Sequence, residues 1–278
     1  MQELYDQVAI KCSKLTTNEY STSFSLGIKV LDKKFHMPVY SIYGFVRFAD
    51  EIVDTFHGHN KADLLAEFKA DTYKAIEQKI SLNPILHSFQ LVVNQYGIER
   101  KLIEAFLYSM ELDLSEKTYD QEGYEEYIYG SAEVVGLMCL RVFCEGDNSK
   151  YEELVPFARA LGSAFQKINF LRDLNADFDG MGRLYFPNIS IDSFDEQTKT
   201  EIEQDIAADF ATGFEGIKKL PKGARFGVYV AYTYYLSLFK KISAKSIADV
   251  RSTRIRISDT RKIALMIQSY FKHQLNLV

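Results

Sequence analysis

The residues between Gln166 and Asp177 combine amide and carboxylate side chains at helical spacing. Four polar residues share one helix face, because three, four and four positions separate them: Gln166, Asn169, Asp173 and Asp177. The positions between them are largely apolar and fit a protein core. Carboxylate and amide oxygens suit a hard cation such as Mg²⁺, which also leaves room for phosphate oxygens. A single pair of this kind, however, is more often a solvated helix face than a metal site.

A second acidic patch makes the metal-binding interpretation stronger. Asp50 and Asp54 are four residues apart, and Arg47 precedes Asp50 by three, so that all three share one helix face. The rest of that helix is apolar, which is unusual for a solvated surface. Two such patches, more than a hundred residues apart, predict carboxylates that face each other across a cavity. The chemistry that needs them is the departure of diphosphate, whose negative charge must be neutralised.

Almost every segment of the chain has a helical period, and β-type alternation is scarce. We therefore expect an all-α fold, with one domain over residues 1–278 and about ten helices around a central cavity. The predicted helices cover 3–14, 17–32, a stretch with Pro38 in its first turn that ends near 57, 61–79, 84–94, 98–113, 121–144, 166–177, two pieces within 201–218, 224–243 and 258–275. The segment 179–182 is expected to end the acidic helix.

Two segments have sequence features that a simple helical pattern does not explain. Gly130 and Gly136 lie inside the predicted helix 121–144, where each glycine costs about 1 kcal/mol against alanine. Either a neighbouring helix packs closely there or the missing side chains make room for a ligand. In the basic stretch 251–262, isoleucines alternate with Arg254 and Arg256. That alternation predicts a short extended piece that directs its arginines to one side.

Composition limits the classes of function. The chain has 278 residues with 33 basic and 38 acidic side chains, a net charge of −5, which argues against a nucleic-acid binder. Three cysteines without metal spacing predict buried thiols in a reducing cytoplasm. We see neither a signal peptide nor a run of eighteen apolar residues. An apolar substrate could still bring the protein to a membrane surface.

The ordered motifs of the chain resemble those of the squalene/phytoene synthase family, the head-to-head branch of the isoprenoid synthases. They extend over almost the whole sequence and are, in chain order, Ser-x-Ser-Phe at 21–24, Asp-Glu-Ile-Val-Asp at 50–54, Tyr-Gly-Ser-Ala-Glu-Val-Val-Gly at 129–136, the acidic segment 169–177, Gly-Arg-Leu-Tyr-Phe-Pro at 182–187 and Arg-Ile-Arg-Ile-Ser-Asp-Thr-Arg-Lys at 254–262. Any one of these matches is weak, but their order makes them specific together.

The resemblance implies an isoprenoid synthase fold that binds two allylic prenyl diphosphates with Mg²⁺, or with Mn²⁺. The sequence has no nucleotide-binding Gly-rich fingerprint, which disfavours an NADPH-dependent reduction, although reductases of this family need not show one. The implied metal ligands are Asp50, Asp54, Asn169, Asp173 and Asp177. The implied substrate-binding residues are Ser21, Arg47, Gln166, Asn169, Arg172, Tyr185, Tyr235 and Arg254. Tyr129, which from its pattern alone is a packed aromatic, matches the tyrosine that stabilises or deprotonates the carbocation.

The resemblance leaves the substrate open between two chain lengths. We expect two C20 geranylgeranyl diphosphates and a phytoene product, with C15 farnesyl diphosphate and a squalene or dehydrosqualene product as the alternative. A non-catalytic relative is a third hypothesis, which the survival of all four aspartates disfavours. The chain departs from the family pattern at Glu133, where a small residue is common, and at 174–176, where Leu-Asn-Ala replaces Val-Gly-Glu.

Overall fold

The computed structural model describes residues 2–115, 118–181, 185–187, 189 and 194–275, except for the side chains of 175–181. This part of the chain is helical, as predicted. The helices are α1 (Gln2–Tyr20), α2 (Thr22–Lys29), α3 (Lys33–Asp54), α4 (Lys61–Gln78), α5 (Pro84–Tyr96), α6 (Arg100–Ser115), α7 (Gln121–Ile128), a π-helical turn (Tyr129–Glu133), α8 (Val134–Cys144), α9 (Asn148–Met181), α10 (Glu196–Lys219), α11 (Lys222–Ser243), α12 (Ile247–Ser252) and α13 (Asp259–Gln274).

Two apolar cores hold the helices together. The first lies among α3, α5, α6 and α8, where the rings of Phe45 and Phe89 stack with centroids 3.9 Å apart. The second lies among α7, α9, α10 and α11, where Phe170 stacks on Tyr185 at 4.2 Å. Residues of α9 belong to both cores, and this packing fixes the direction of the polar face of α9.

The first helix is longer than predicted. The expectation that a new helix begins at Thr17 is wrong, because Thr17 is buried within α1 and donates its hydroxyl hydrogen bond to Ser13 O at 2.9 Å. The next helix begins only after Ser21, whose side chain accepts a hydrogen bond from the backbone N–H of Phe24. Ser21 is thus the N-cap of α2, a role that serine fits well.

Pro38 does not lie in the first turn of its helix, as predicted, but inside α3. The start of α3 is fixed further upstream, since the backbone N–H of Asp32 donates to Gly223 O at 2.9 Å and ties this junction to α11. The Asp50–Asp54 face therefore belongs to a helix of 22 residues.

Two further boundaries differ from the prediction. The acidic helix continues through 179–181 to Met181, and α10 is one helix of 24 residues instead of two pieces. Packing explains the continuity of α10, because Gly213 and Gly216 let it approach Leu161 and Phe157 of α9 closely.

The helix pair α7–α8 forms one rod with a π-helical turn at Tyr129–Glu133. A Cβ atom on Gly130 would lie 2.5 Å from Ala105 O of α6, so close helix packing is the reason for this glycine. The rod is long and apolar enough to cross a membrane by length and composition, but 61% of its most apolar window is buried in the bundle, as in the core helix of a soluble protein.

The cysteines are all free thiols. Cys144 is buried, but Cys12 and Cys139 are only partly so, which corrects the expectation of three buried thiols. Burial raises the pKa of Cys144 to about 11, so this thiol stays protonated near neutral pH.

Candidate active site

The acidic patch on α3 is recessed but open to solvent. Arg47 Nη1 lies 3.4 Å from Asp50 Oδ2, and its other terminal nitrogen pairs with Glu51. The Asp50 side chain keeps 36% of its surface exposed. Burial and the nearby Asp54 carboxylate raise the pKa of Asp50 to about 7, against the opposing effect of Arg47. Each of two neighbouring carboxylates disfavours the charged form of the other.

The polar face of α9 forms a connected set of hydrogen bonds. Gln166 Nε2 donates to Ser131 Oγ at 3.1 Å, and Asn169 Nδ2 donates to Gln166 Oε1 at 3.2 Å. One turn further, Asp173 pairs with Arg172 and with Arg254, whose Nε lies 2.7 Å from Asp173 Oδ1. The side chain of Asp177, the last residue of the predicted face, lies outside the described residues.

Two tyrosines join the α3 patch to the α9 face. The Tyr43 phenol lies near Ser21 and interacts electrostatically with Asp50 and Tyr235. Tyr235 in turn donates from its hydroxyl to Asn169 Oδ1 at 3.4 Å. The two predicted patches therefore border the same region between α3, α9 and α11. Burial raises the pKa of Tyr43 to about 12, so its hydroxyl remains a hydrogen-bond donor.

A cavity of about 370 Å³ lies next to this junction, and several cationic side chains line it. Four of the predicted substrate-binding residues line it: Ser21, Arg172, Tyr235 and Arg254. Its wall also includes polar residues that were not predicted as substrate-binding, among them Thr22, Ser23, Arg256 and Lys262. Four cationic side chains around one cavity favour a polyanionic ligand, since arginine binds phosphate oxygens through charge-assisted hydrogen bonds.

The prediction that the chain is not helical around Arg254 and Arg256, and that both arginines serve one site, agrees with the structure. Residues 254–258 have no helical structure; Ile255 is buried at 6% exposure and anchors the segment in the second core. The two arginines are exposed on either side of Ile255 and reach the cavity.

Tyr234, next to Tyr235, is buried at 4% exposure and also lines the cavity. Its hydroxyl has no hydrogen-bond partner among the residues that the structure describes. A buried hydroxyl normally finds a partner, so this group fits a polar ligand in the cavity.

Tyr129 is not among the residues that line this cavity. It lies in the π-helical turn, and the Arg159 guanidinium sits 5.1 Å from the centre of its ring. Arg159 Nε also donates to Glu133, which is 9% exposed. Glu133, where the chain departs from the family pattern, thus has Arg159 as its ion-pair partner. The π-helical turn that carries it is of a kind frequent at functional sites.

Tyr185 and Asp113 form a buried polar pair that the sequence did not predict. Tyr185 is 7% exposed and donates from its hydroxyl to Asp113 Oδ1 at 3.2 Å. Tyr127 donates to the other Asp113 oxygen at 2.8 Å, and burial with this carboxylate raises the pKa of Tyr127. Asp113 also contributes to the raised pKa of Asp50. The only sequence signal was an acid within the apolar turns of α6.

The donor set fits Mg²⁺ by its chemistry. Asp50 and Asp54 supply carboxylate oxygens from α3, and Asn169 offers an amide oxygen from α9. Asp173 is instead paired with two arginines in this structure. Within the described part of the chain, no three His, Cys, Asp or Glu side chains are grouped to hold a metal ion alone. Phosphate oxygens would have to complete the coordination.

Comparison with known proteins agrees with the motifs. The family model for squalene/phytoene synthase matches residues 17–261. A presqualene diphosphate synthase from Rhodopseudomonas palustris is 23% identical over 266 residues, which cover 89% of this chain and 92% of that protein. A phytoene synthase from Cereibacter sphaeroides is 25% identical over 248 residues, or 80% and 68% of the two chains. A 4,4'-diapophytoene synthase from Staphylococcus haemolyticus is 25% identical, covering 69% and 66%.

Solved structures share the fold. A dehydrosqualene synthase superposes with a TM-score of 0.81 at 22% identity, covering 97% of this chain and 98% of that one. A squalene synthase from Alicyclobacillus acidocaldarius gives a TM-score of 0.75 at 17% identity, with coverage of 86% and 94%. The helical bundle is therefore the isoprenoid synthase fold. Together with the family match over most of its length, this shows that the chain belongs to the squalene/phytoene synthase family, whose members are prenyltransferases.

Proposed function

We propose that this protein joins two allylic prenyl diphosphates head to head, with two geranylgeranyl diphosphates giving phytoene as the reaction it performs. The observation that carries the proposal is the cavity where Arg172, Arg254, Arg256 and Lys262 meet beside the carboxylates of α3 and α9. A site with cations and carboxylates together suits a diphosphate that must first be bound and then leave.

The first chemical step is loss of diphosphate from one substrate, which leaves an allylic cation. The cationic side chains of the cavity stabilise the departing group, and Ser21 and Tyr235 supply hydrogen bonds to it. The double bond of the second substrate then attacks the cation, and loss of a proton closes a cyclopropylcarbinyl diphosphate. That intermediate loses its own diphosphate, rearranges and gives up a second proton to form the hydrocarbon.

Aromatic side chains protect these cations from water. Phe165 and Tyr235 stack with ring centroids 4.0 Å apart on the walls of α9 and α11. An apolar, aromatic surface excludes solvent and attracts positive charge to ring faces. Tyr129 is proposed to stabilise the carbocation or to help deprotonate it.

We propose Mg²⁺ as the metal, with Mn²⁺ as a substitute, held by Asp50, Asp54, Asn169, Asp173 and Asp177. When bound, the metal neutralises the charge that develops on the leaving diphosphate. The proposed reaction ends with loss of a proton and without reduction by NADPH. We further propose a cytoplasmic protein that contacts membranes peripherally.

The C15 reaction is the second candidate, and specific relatives favour it. Proteins named as presqualene diphosphate and diapophytoene synthases are among those most similar to the chain, and so is the structure of a dehydrosqualene synthase. Against them, phytoene synthases align over up to 98% of the chain. The form of the first acidic motif and the Arg-Ile-Arg-Ile-Ser tail support the C20 substrate.

A competition experiment distinguishes the two substrates. Equal amounts of C15 and C20 diphosphates are offered with Mg²⁺, and the products are identified by mass spectrometry. The C20 proposal expects a C40 hydrocarbon as the main product. A predominance of C30 hydrocarbon or of presqualene diphosphate would transfer the assignment to the C15 substrate.

A further inference from the structure

The π-helical turn that begins at Tyr129 is held closely against α9. Gln166 of α9 donates from Nε2 to Ser131 Oγ at 3.1 Å. Gly162, one turn earlier on α9, lets the backbones approach so closely that a Cβ atom there would lie 3.0 Å from Ala132 O. The position of the Tyr129 ring therefore depends on the contacts between this turn and α9.

Arg159 and Glu133 form the charged contact between the turn and α9. The Arg159 guanidinium donates from Nε to the Glu133 carboxylate and lies over the ring of Tyr129, 5.1 Å from its centre. The Glu133 side chain is 12% exposed and that of Arg159 is 49% exposed. Burial raises the pKa of Glu133, and the hydrogen bond from Arg159 opposes that rise because it favours the carboxylate. A cation and its counter-charge thus lie together beside one aromatic ring.

The other cation near Glu133 has partners of its own. Lys167, two turns further along α9, interacts electrostatically with Glu133, but its Nζ is paired with Asp209 at 2.8 Å and also with Asp205. Glu133 is therefore the carboxylate that neutralises Arg159.

An uncompensated positive charge over this ring would oppose the role proposed for Tyr129. The face of an aromatic ring attracts cations through its quadrupole. An arginine without a counter-charge at the same ring would raise the energy of a nearby carbocation, because like charges repel. The carboxylate of Glu133 offsets this repulsion, while the guanidinium of Arg159 keeps its contact with the ring.

We propose that Arg159 and Glu133 are positioning residues for Tyr129. Arg159 holds the ring, and Glu133 supplies the counter-charge that prevents Arg159 from destabilising the carbocation. This role rests on the proposed function, because it needs a carbocation beside Tyr129. It gives a purpose to the acid that stands where the family pattern commonly has a small residue.

The first test removes the counter-charge alone. Glu133→Gln leaves Arg159 uncompensated, so kcat for diphosphate release should fall about three- to tenfold; the half-exposed guanidinium is partly screened by water, which limits the effect. KM should stay unchanged, since the repulsion acts on the transition state and not on the bound substrate.

Two further variants separate this role from a purely structural one. Arg159→Met removes the cation together with its ring contact, and kcat should fall by no more than about twofold. Glu133→Gln/Arg159→Met should regain the kcat of Arg159→Met. A purely structural pair predicts the reverse order, because Arg159→Met is the variant that leaves a buried carboxylate without its partner.

Glu104→Gln is the matched control, because the same arrangement recurs between α4 and α6. Glu104 accepts a hydrogen bond from Arg100 Nε at 2.8 Å, and the Arg100 guanidinium lies 4.3 Å from the centre of the Tyr73 ring. None of these three residues lines the cavity. Loss of the counter-charge at this place should leave kcat unchanged.

The kinetics are measured with Mg²⁺ and with geranylgeranyl and farnesyl diphosphate in turn, and thermal melts check that each variant is folded at the assay temperature. Wild-type kcat in Glu133→Gln, a double variant slower than Glu133→Gln, or an equal loss in Glu104→Gln would each overturn the positioning role alone. A wild-type protein that releases diphosphate from neither substrate would overturn the proposed function and this role with it.

Discussion

Arg254 and Asp173 form an ion pair across 81 residues of sequence, with Arg254 Nε 2.7 Å from Asp173 Oδ1. One is a proposed diphosphate ligand and the other a proposed metal ligand. In this structure Arg254 is paired with Asp173, which also pairs with Arg172. Binding of a diphosphate with its metal must therefore exchange this pair for two new ones, which couples the occupation of the two subsites.

Removal of Arg254 should affect metal and substrate in opposite directions. Arg254→Ala frees Asp173 from one of its two arginines, so we expect Mg²⁺ to bind the substrate-free protein about two- to fivefold more tightly, as for a partly exposed pair. The same variant loses a phosphate ligand, so KM should rise by about tenfold or more. Calorimetric titration with Mg²⁺ and steady-state kinetics measure the two effects.

Arg261→Ala is the matched control, because Arg261 is exposed nearby but does not line the cavity. It should change neither quantity. If Arg254→Ala weakened Mg²⁺ binding in the absence of substrate, the proposed exchange of partners would be wrong.

The carboxylates should matter for turnover and little for folding. Asp50→Asn and Asp173→Asn should each reduce diphosphate release by about two to three orders of magnitude, because each removes stabilisation of the leaving group. The melting temperature should change little, and Asp50→Asn relieves repulsion with Asp54. Asp71→Asn, on the exposed side of α4, serves as the control. Retained turnover in both variants would remove the metal-site assignment.

The raised pKa of Asp50 predicts a pH dependence of the metal-free protein. The folded state keeps a proton on Asp50 up to about pH 7, whereas the unfolded chain releases it near the ordinary value of 3.8. The folded state therefore binds more protons in this window, so this group's contribution to the free energy of unfolding falls as pH rises from about 4 to about 7. Thermal melts of wild type and Asp50→Asn in chelator should differ in slope there.

Mg²⁺ should reverse this trend, because it binds the deprotonated carboxylate and competes with the proton. The melting-temperature increase caused by Mg²⁺ should therefore grow between pH 6 and pH 8. An increase that is independent of pH in wild type, or equally steep in Asp50→Asn, would contradict the assignment to Asp50.

The Glu133–Arg159 pair should stabilise the π-helical turn that carries Tyr129. Arg159→Met leaves Glu133 buried without its partner, which should lower the free energy of unfolding by about 1–3 kcal/mol. In Glu133→Met/Arg159→Met both charges are gone, and much of the loss should be recovered. Chemical denaturation of both variants measures this difference. A double variant that is less stable than Arg159→Met would show that the pair is not the cause.

The sequence predicted the positions that local pattern determines. The spacing of Asp50 and Asp54 in an apolar helix, and the alternation around Ile255, were sufficient to place these residues on the faces where the structure has them. Asn83 before Pro84 correctly marked the start of α5, because an asparagine cap followed by proline is a strong local signal.

Features that depend on tertiary contacts were missed. The contact of Asp32 with α11 moves the start of α3 upstream of Pro38, and no local signal reports it. Asp113 becomes a candidate functional residue only because the hydroxyls of Tyr127 and Tyr185, from other segments, donate hydrogen bonds to it. The cavity role of Lys262 likewise depends on how α13 meets α2.

The most direct test of the metal and diphosphate assignment is a crystal structure with Mn²⁺ and a non-cleavable thio-analogue of the C20 diphosphate. We expect anomalous Mn²⁺ peaks about 2.1 Å from carboxylate oxygens of both the Asp50–Asp54 pair and Asp173, bridged by diphosphate oxygens that also contact Arg254. Peaks confined to one helix, or a diphosphate bound away from the cavity between α3, α9 and α11, would contradict it.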